Sequence, residues 1–236
     1  MKLYDECLIG AEQLLADYPV ERLDPPRRSW PDLGNNQVLF VSDTAYELGG
    51  GSHPAVSSIA LTDKAEFVPK DELFLLGPDL GDIHADAPFA RIAFVRVNED
   101  LLGTGNALYR TIRKIEYTRY HVSPEGYMMR ISAFSQREAA RVGKAALQKG
   151  LSFADVGQLF IDAYHQQPAV EAVKLIFVTD PSFPYKELEG IMTKSEQITT
   201  ALDHLMKDVK MDCNTCSLKA VCEEVEELTK KDFANE

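Results

Sequence analysis

The spacing of hydrophobic residues changes period several times along this chain, and each change marks an element. Leu3, Cys7, Leu8, Ala11, Leu14 and Leu15 recur at three- and four-residue intervals, predicting an amphipathic helix that stops before Pro19. Cys7 falls on its apolar stripe. Pro19, Pro25, Pro26, Pro31 and the turn Gly34-Asn35-Asn36 make 19–36 an irregular arm laid over the body. Apolar runs at Gln37–Val41, Val56–Leu61, Leu73–Leu76 and Arg91–Val97 predict strands. Glu99–Arg119 predicts a helix delayed by Gly103 and Gly105, with Leu108, Ile112 and Ile115 on one face. Tyr127–Phe134 predicts a further strand, and Gln136–Gln148 and Phe153–Gln166 predict two helices parted by Lys149-Gly150. Ala172–Val178 is a strongly apolar strand ending at Thr179-Asp180-Pro181, and helix dominates from Tyr185 onward.

Strands first, then a mixture, then helices predict an α+β or mixed α/β fold rather than a regularly alternating parallel one. The expected architecture is one mixed sheet of about five or six strands flanked by helices, followed by a helical, cysteine-containing C-terminal tail. Three segments follow: the N-terminal helix and arm at 1–36, an α/β body at 37–182, and the tail at 183–236. There is no internal repeat and no low-complexity tract. With 236 residues and 45% hydrophobic content, the chain can bury a substantial core. No run approaches the roughly 20 apolar residues of a membrane span, and the opening Met-Lys-Leu-Tyr-Asp-Glu-Cys is acidic where a secretory signal is basic. A soluble, cytoplasmic protein without a membrane partner is expected. A net charge of -12 disfavours nucleic acid as the main partner.

Three of the four cysteines fall within ten residues, as Cys213-x2-Cys216-x5-Cys222, and the fourth, Cys7, lies at the other end. In a reducing compartment such thiols favour metal binding over disulfides. A C-x2-C turn presents two thiolates to one metal, and the x5 gap returns the third from the start of the next helix. With Cys7 as fourth ligand, a 4Fe-4S cluster would clasp the N-terminal helix to the tail. A distant cysteine followed by C-x2-C-x5-C resembles the iron–sulfur staple of certain nucleases, in spacing only. Four-thiolate zinc fits the same residues, and so do three reduced thiols on a helical tail.

Charge reverses sign mid-chain. Residues 108–149 carry nine basic side chains, including Arg110, Arg113, Arg119, Arg130, Arg137 and Arg141, against three acidic ones; the zone is +6 and the remainder -18. Such a zone either draws a phosphorylated ligand or acidic partner, since guanidinium forks match phosphate, or is salt-bridged to the acidic remainder. The turn Leu48-Gly49-Gly50-Gly51-Ser52-His53-Pro54 either lets backbone amides of Gly49 and Gly50 approach a ligand or is simply flexible. It lacks the endings of a P-loop or a dinucleotide fingerprint. The five histidines show no ligand spacing, and no nucleophile motif or acid pair is present. Catalysis by this chain alone is left open.

Several words resemble the domain preceding the catalytic domain in the β subunit of CO dehydrogenase/acetyl-CoA synthase. Glu47-Leu48-Gly49-Gly50 resembles that family's Glu-Phe-Gly-Gly turn, Leu76-Gly77-Pro78-Asp79-Leu80 its Ile-Gly-Pro-Asp-Ile, and Arg130-Ile131-Ser132 its Arg-Ile-Ser. Lys149-Gly150-Leu151-Ser152-Phe153 with Gly157 resembles its Lys-Gly-Phe-x-Phe stretch and following glycine, and the likeness spans roughly 37–180. The resemblance implies an arginine-lined cavity discussed as a route for coenzyme A, to which Arg130 is anchored by a matching word. The family's nickel and iron–sulfur A-cluster is held by cysteines of a following domain, whose pattern the tail does not reproduce. The expectation is therefore an accessory protein of anaerobic one-carbon and CO metabolism that binds an iron–sulfur cluster and coenzyme A or a partner protein. The alternatives are a redox subunit of a CO-methylating acetyl-CoA synthase complex and a structural zinc or iron–sulfur assembly module.

Overall fold

The computed structural model describes residues 1–34, 37–131, 138–206 and 216–233. Its centre is a five-stranded mixed sheet in the order β1 (Glu21–Leu23), β4 (Glu72–Leu76), β8 (Val170–Val178), β5 (Phe89–Val97), β3 (Ala55–Thr62). β4 and β8 run parallel, β5 and β3 run parallel in the opposite sense, and β5 meets β8 antiparallel. β5 and β8 are apolar along nearly their whole length because both of their faces are covered. On one face lies α4 (Phe153–Tyr164), whose Gly157 leaves room for Leu73 and Phe177, and Phe89, Phe153 and Phe177 stack beside it. A second, three-stranded antiparallel sheet shares that face: β2 (Thr44–Leu48), β7 (Glu138–Gly143), β6 (Tyr127–Ile131).

On the other side α1 (Asp5–Ala16) and the long α5 (Tyr185–Met206) pack on each other, Gly10 of α1 sitting against Ile191 of α5. Glu12 of α1 accepts from Lys174 of β8 at 2.7 Å, tying this layer to the sheet. α2 (Gly105–Tyr117) joins α5 through Tyr109 and Asp203, while α3 (Lys144–Gln148) follows β7 and α6 (Lys219–Phe233) closes on α5 with Val221 and Val225 buried. Among the described residues no helix is long and apolar enough to cross a membrane.

The mixed α+β class and the five-stranded mixed sheet agree with the sequence pattern. Two local expectations do not. Gln37–Val41 is no strand: the chain is irregular there, Val38 and Phe40 stand 69% and 65% exposed, and the strand begins at Thr44. Of the helix expected at Gln136–Gln148, the first two residues lie outside the described ones, and among the rest only Lys144–Gln148 is helical, because Glu138–Gly143 pairs on both sides, with β2 and β6. The delayed start of α2 is as expected, with Thr104 at its N-cap. The second half of the expected strand at 127–134 lies outside the described residues.

Candidate functional site

The glycine turn closes β2 onto β3. Gly49 has φ +67, donates to Ala87 O at 2.7 Å, and a side chain there would meet Ala55 Cβ at 2.5 Å. A side chain at Gly50 would meet the carboxylate of Glu47 at 2.5 Å, so both glycines are required by packing. Glu47 is the hub beside them. Its Oε1 accepts from Arg130 Nη1 and from Arg141 Nε, each at 2.6 Å, so two arginines predicted to meet a ligand are joined to one carboxylate. Arg141 also donates to Leu39 O at 3.2 Å. Sequence reasoning placed Glu47 in a family word without seeing that it binds the arginine of another.

The next words are joints as well. Gly77, with φ +102, lies so close to Asp180 that a side chain would collide with the backbone nitrogen there. Asp79 then accepts from Leu80 N at 2.7 Å and from Phe153 N at 2.8 Å, capping α4 from a distant loop, while Ser152 and Asp155 form a capping box at the same helix start. Burial pushes the Asp79 carboxyl up, and those two amide bonds oppose the push. Tyr46 of β2 donates to Leu80 O at 2.5 Å, locking the turn to the small sheet.

Between the two sheets lies a buried ionic cluster that the sequence did not reveal. Arg91 of β5 is 2% exposed and donates to Glu138 of β7 at 2.9 Å and to Ser57 Oγ at 2.8 Å, its guanidinium 4.4 Å from the ring centre of Phe160. Arg119 approaches Glu138 at 3.4 Å and donates to Tyr120 Oη at 2.8 Å. Burial alone would push Glu138 up, but the two guanidiniums outweigh it and hold its carboxyl below the usual range. Beyond Arg119, Glu116 of α2 bonds Thr199 of α5, and burial raises its carboxyl despite that bond and the nearby Arg119 and Arg113. A signal existed in Arg91, a charge in the middle of a strand whose neighbouring positions are apolar, which demands a buried partner.

The other basic residues divide by environment. Arg113 lies over Tyr117, bonds its hydroxyl at 2.8 Å and approaches Glu116 at 3.4 Å; Lys149 pairs with Glu125 at 2.5 Å; Arg110 is exposed on α2. Arg137 lies outside the described residues. Much of the positive zone is thus spent on internal partners.

A family model for the CO dehydrogenase/acetyl-CoA synthase complex beta subunit matches residues 37–183, more than half of the chain. The chain belongs to this family. The match runs from the segment before β2 to just past β8, taking in the three-stranded sheet, every strand of the larger sheet but β1, Glu47 with its two arginines, and the Asp79 cap; α1, β1, α5 and α6 lie outside it. No curated protein matches the chain.

Outside the family region stand the cysteines. Cys7 of α1 is buried, and burial pushes its thiol up, opposed in part by a backbone hydrogen bond at Ser195 and the charge of Lys194. Cys216 accepts from Lys219 N at 3.2 Å at the turn into α6, and Cys222, partly buried against the core, sits on the first turns of that helix. Cys213 lies outside the described residues. Among the described residues no three His, Cys, Asp or Glu side chains form a group that could hold a metal ion, so Cys7, Cys216 and Cys222 alone do not make one. Their helices nevertheless share an anchor: Lys194 of α5 pairs with Glu6 of α1 at 2.8 Å and Glu224 of α6 at 3.4 Å. The soft thiolate chemistry of the tail, carried on a turn that opens a helix, suits iron–sulfur or zinc ligation.

Proposed function

We propose that this protein is an acetyl-CoA synthase-like accessory component of anaerobic CO and one-carbon metabolism. It docks on a CO dehydrogenase/acetyl-CoA synthase-type assembly and carries an iron–sulfur cluster at its tail. The family match over 37–183 carries the reading. Docking is favoured over coenzyme A capture by what surrounds the family arginines: Arg130 and Arg141 are held by Glu47, while the adjoining Val38, Phe40 and Val41 are 65% exposed or more. Exposed apolar side chains rimmed by polar groups mark protein interaction surfaces.

In this reading Cys213, Cys216 and Cys222 hold the cluster, with Cys7 as the candidate fourth ligand; bound there, the cluster would supply electron transfer or a structural clasp. Anaerobic purification followed by iron and sulfide analysis tests this half, with iron and sulfide expected in stoichiometric amounts. A colourless protein with one zinc per chain would replace it with the structural-module reading. The docking half is tested by mixing with a CO dehydrogenase/acetyl-CoA synthase complex: co-elution on gel filtration is expected, and Phe40→Asp should abolish it. Coenzyme A titrated at low salt should bind weakly; a tight isotherm that Arg130→Ala removes would put the ligand ahead of the partner.

A further inference from the structure

At one end of the central sheet, where β4 and β8 finish and β3 and β5 begin, the loops leaving and entering the strands enclose a hollow of about 460 Å³. Each of its walls carries a proline: Pro54 before β3, Pro78 after β4, Pro88 before β5 and Pro181 after β8. The fixed φ of proline stiffens these walls, and hydrogen bonds join them, Phe89 N donating to Pro54 O at 3.0 Å and Thr179 Oγ1 to Pro78 O at 2.7 Å. Buried Ile83 adds to the apolar lining. The hollow is thus preformed and largely apolar, and its size falls within the range of small-molecule sites, about 300–1,000 Å³. All of its walls lie in the family region, yet neither Arg130 nor Arg141 lines it.

Its carboxylates are not balanced. Asp82 and Asp86 line the hollow, no lysine or arginine does, and neither carboxylate takes part in a salt bridge among the described residues. Asp86 accepts from the Glu47 amide at 2.7 Å through Oδ1, and Asp82 is exposed. Asp180, set between the lining residues Thr179 and Pro181, adds a third negative charge, its Oδ1 accepting from Ser182 N at 2.8 Å and Oγ at 2.7 Å. The field reaches inward as well: burial pushes the Asp79 carboxyl up, and the charge of Asp82 pushes it the same way. A cleft with apolar walls and charge of one sign concentrates ligands of the opposite sign. A bare metal ion does not suit it, since no three His, Cys, Asp or Glu side chains among the described residues form a group that could hold one. A cation that carries an apolar body meets both the walls and the charge.

We propose that this hollow binds a small organic cation, its apolar body lying among the prolines and Ile83 and its ammonium group donating to Asp82 and Asp86. Benzylammonium chloride is a suitable probe, with benzyl alcohol as its uncharged counterpart and sodium benzoate as its anionic one. His53 and His84 also line the space, so the titrations are run at pH 8, above the ordinary imidazole range, and at constant ionic strength. Followed by amide chemical shifts of the full-length protein, benzylammonium should saturate at about millimolar concentration, with the shifts centred on 53–54, 78–88 and 179–181. Benzyl alcohol should bind at least about fivefold more weakly, and benzoate more weakly still. The double variant Asp82→Asn with Asp86→Asn keeps the side-chain shape and an acceptor for the Glu47 amide, and should bring benzylammonium down to the affinity of benzyl alcohol while leaving the alcohol unchanged. Asp24→Asn, which removes one exposed charge beyond β1 at the other end of the sheet, should leave every affinity as it was. Benzoate binding as well as benzylammonium, benzylammonium binding no tighter than the alcohol or not saturating at all, or an undiminished affinity in the folded double variant would each overturn the proposal.

Discussion

At Glu138, one buried carboxylate serves two guanidiniums, so deleting it leaves Arg91 charged and buried. Glu138→Ala is expected to cost about 3–5 kcal/mol in urea denaturation, and Glu138→Leu combined with Arg91→Met less, because the pair is then removed together. The two buried glutamates should also give opposite pH signatures. Glu138 is held below its unfolded value of about 4.3, so its contribution is present above that pH and is lost as pH falls through the lowered folded value. Glu116 is raised, so its contribution is complete below about pH 4.3 and is lost as pH rises through the higher folded value. Stability measured from pH 3 to 8 on Glu116→Gln should therefore lose the decline on the neutral side and keep the acid limb. Neither role was legible from the residues alone: Glu138 sits in Glu-Ala-Ala-Arg, which reads as helix, and Glu116 in an amphipathic run where it would pass for a solvated charge.

Elements with strong apolar periods declared themselves, and those with weak periods did not. β5, β8, α1 and α4 follow the sequence pattern because burial on the expected faces reinforces the local preference. β7 does not, since Glu138–Gly143 contains two alanines and no alternating large residues; it becomes a strand only because β2 and β6 pair with it. The apolar run at 37–41 misled in the opposite way, Val38, Phe40 and Val41 being left outside. The family words were legible as letters but not as joints, because Asp79 and its partner Phe153 lie 74 residues apart. That joint is testable at the level of one helix. Asp79→Ala removes the carboxylate that accepts from Leu80 and Phe153, and should cost about 1–2 kcal/mol with faster amide exchange confined to the first turn of α4. Asp79→Asn keeps an acceptor and should recover most of the loss.

Over the whole molecule, the two ends of the chain meet on α5. Glu6 and Glu224 share Lys194, so the helix bearing Cys7 and the helix bearing Cys222 are anchored to one side chain, although the sequence separates the two cysteines by nearly its full length. Sequence spacing could expose the tail trio but not this convergence, which depends on α1 and α6 choosing the same partner helix. A four-cysteine site would add a covalent closure to the non-covalent one, and closing so long a loop removes much of the freedom of the unfolded chain. If it forms, Cys216→Ser and Cys7→Ser should both lose iron on anaerobic reconstitution and both lower the unfolding midpoint of the iron-loaded protein towards that of the apo form. Cys7 is also a core side chain, with burial holding its thiol up, so the apo proteins must be compared as well. There Cys7→Ser should cost stability by placing a hydroxyl among apolar neighbours, and Cys216→Ser should cost little because Cys216 is half exposed. Iron retained by Cys7→Ser but lost by Cys216→Ser would instead leave the cluster with three protein ligands and confine Cys7 to the packing between α1 and α5.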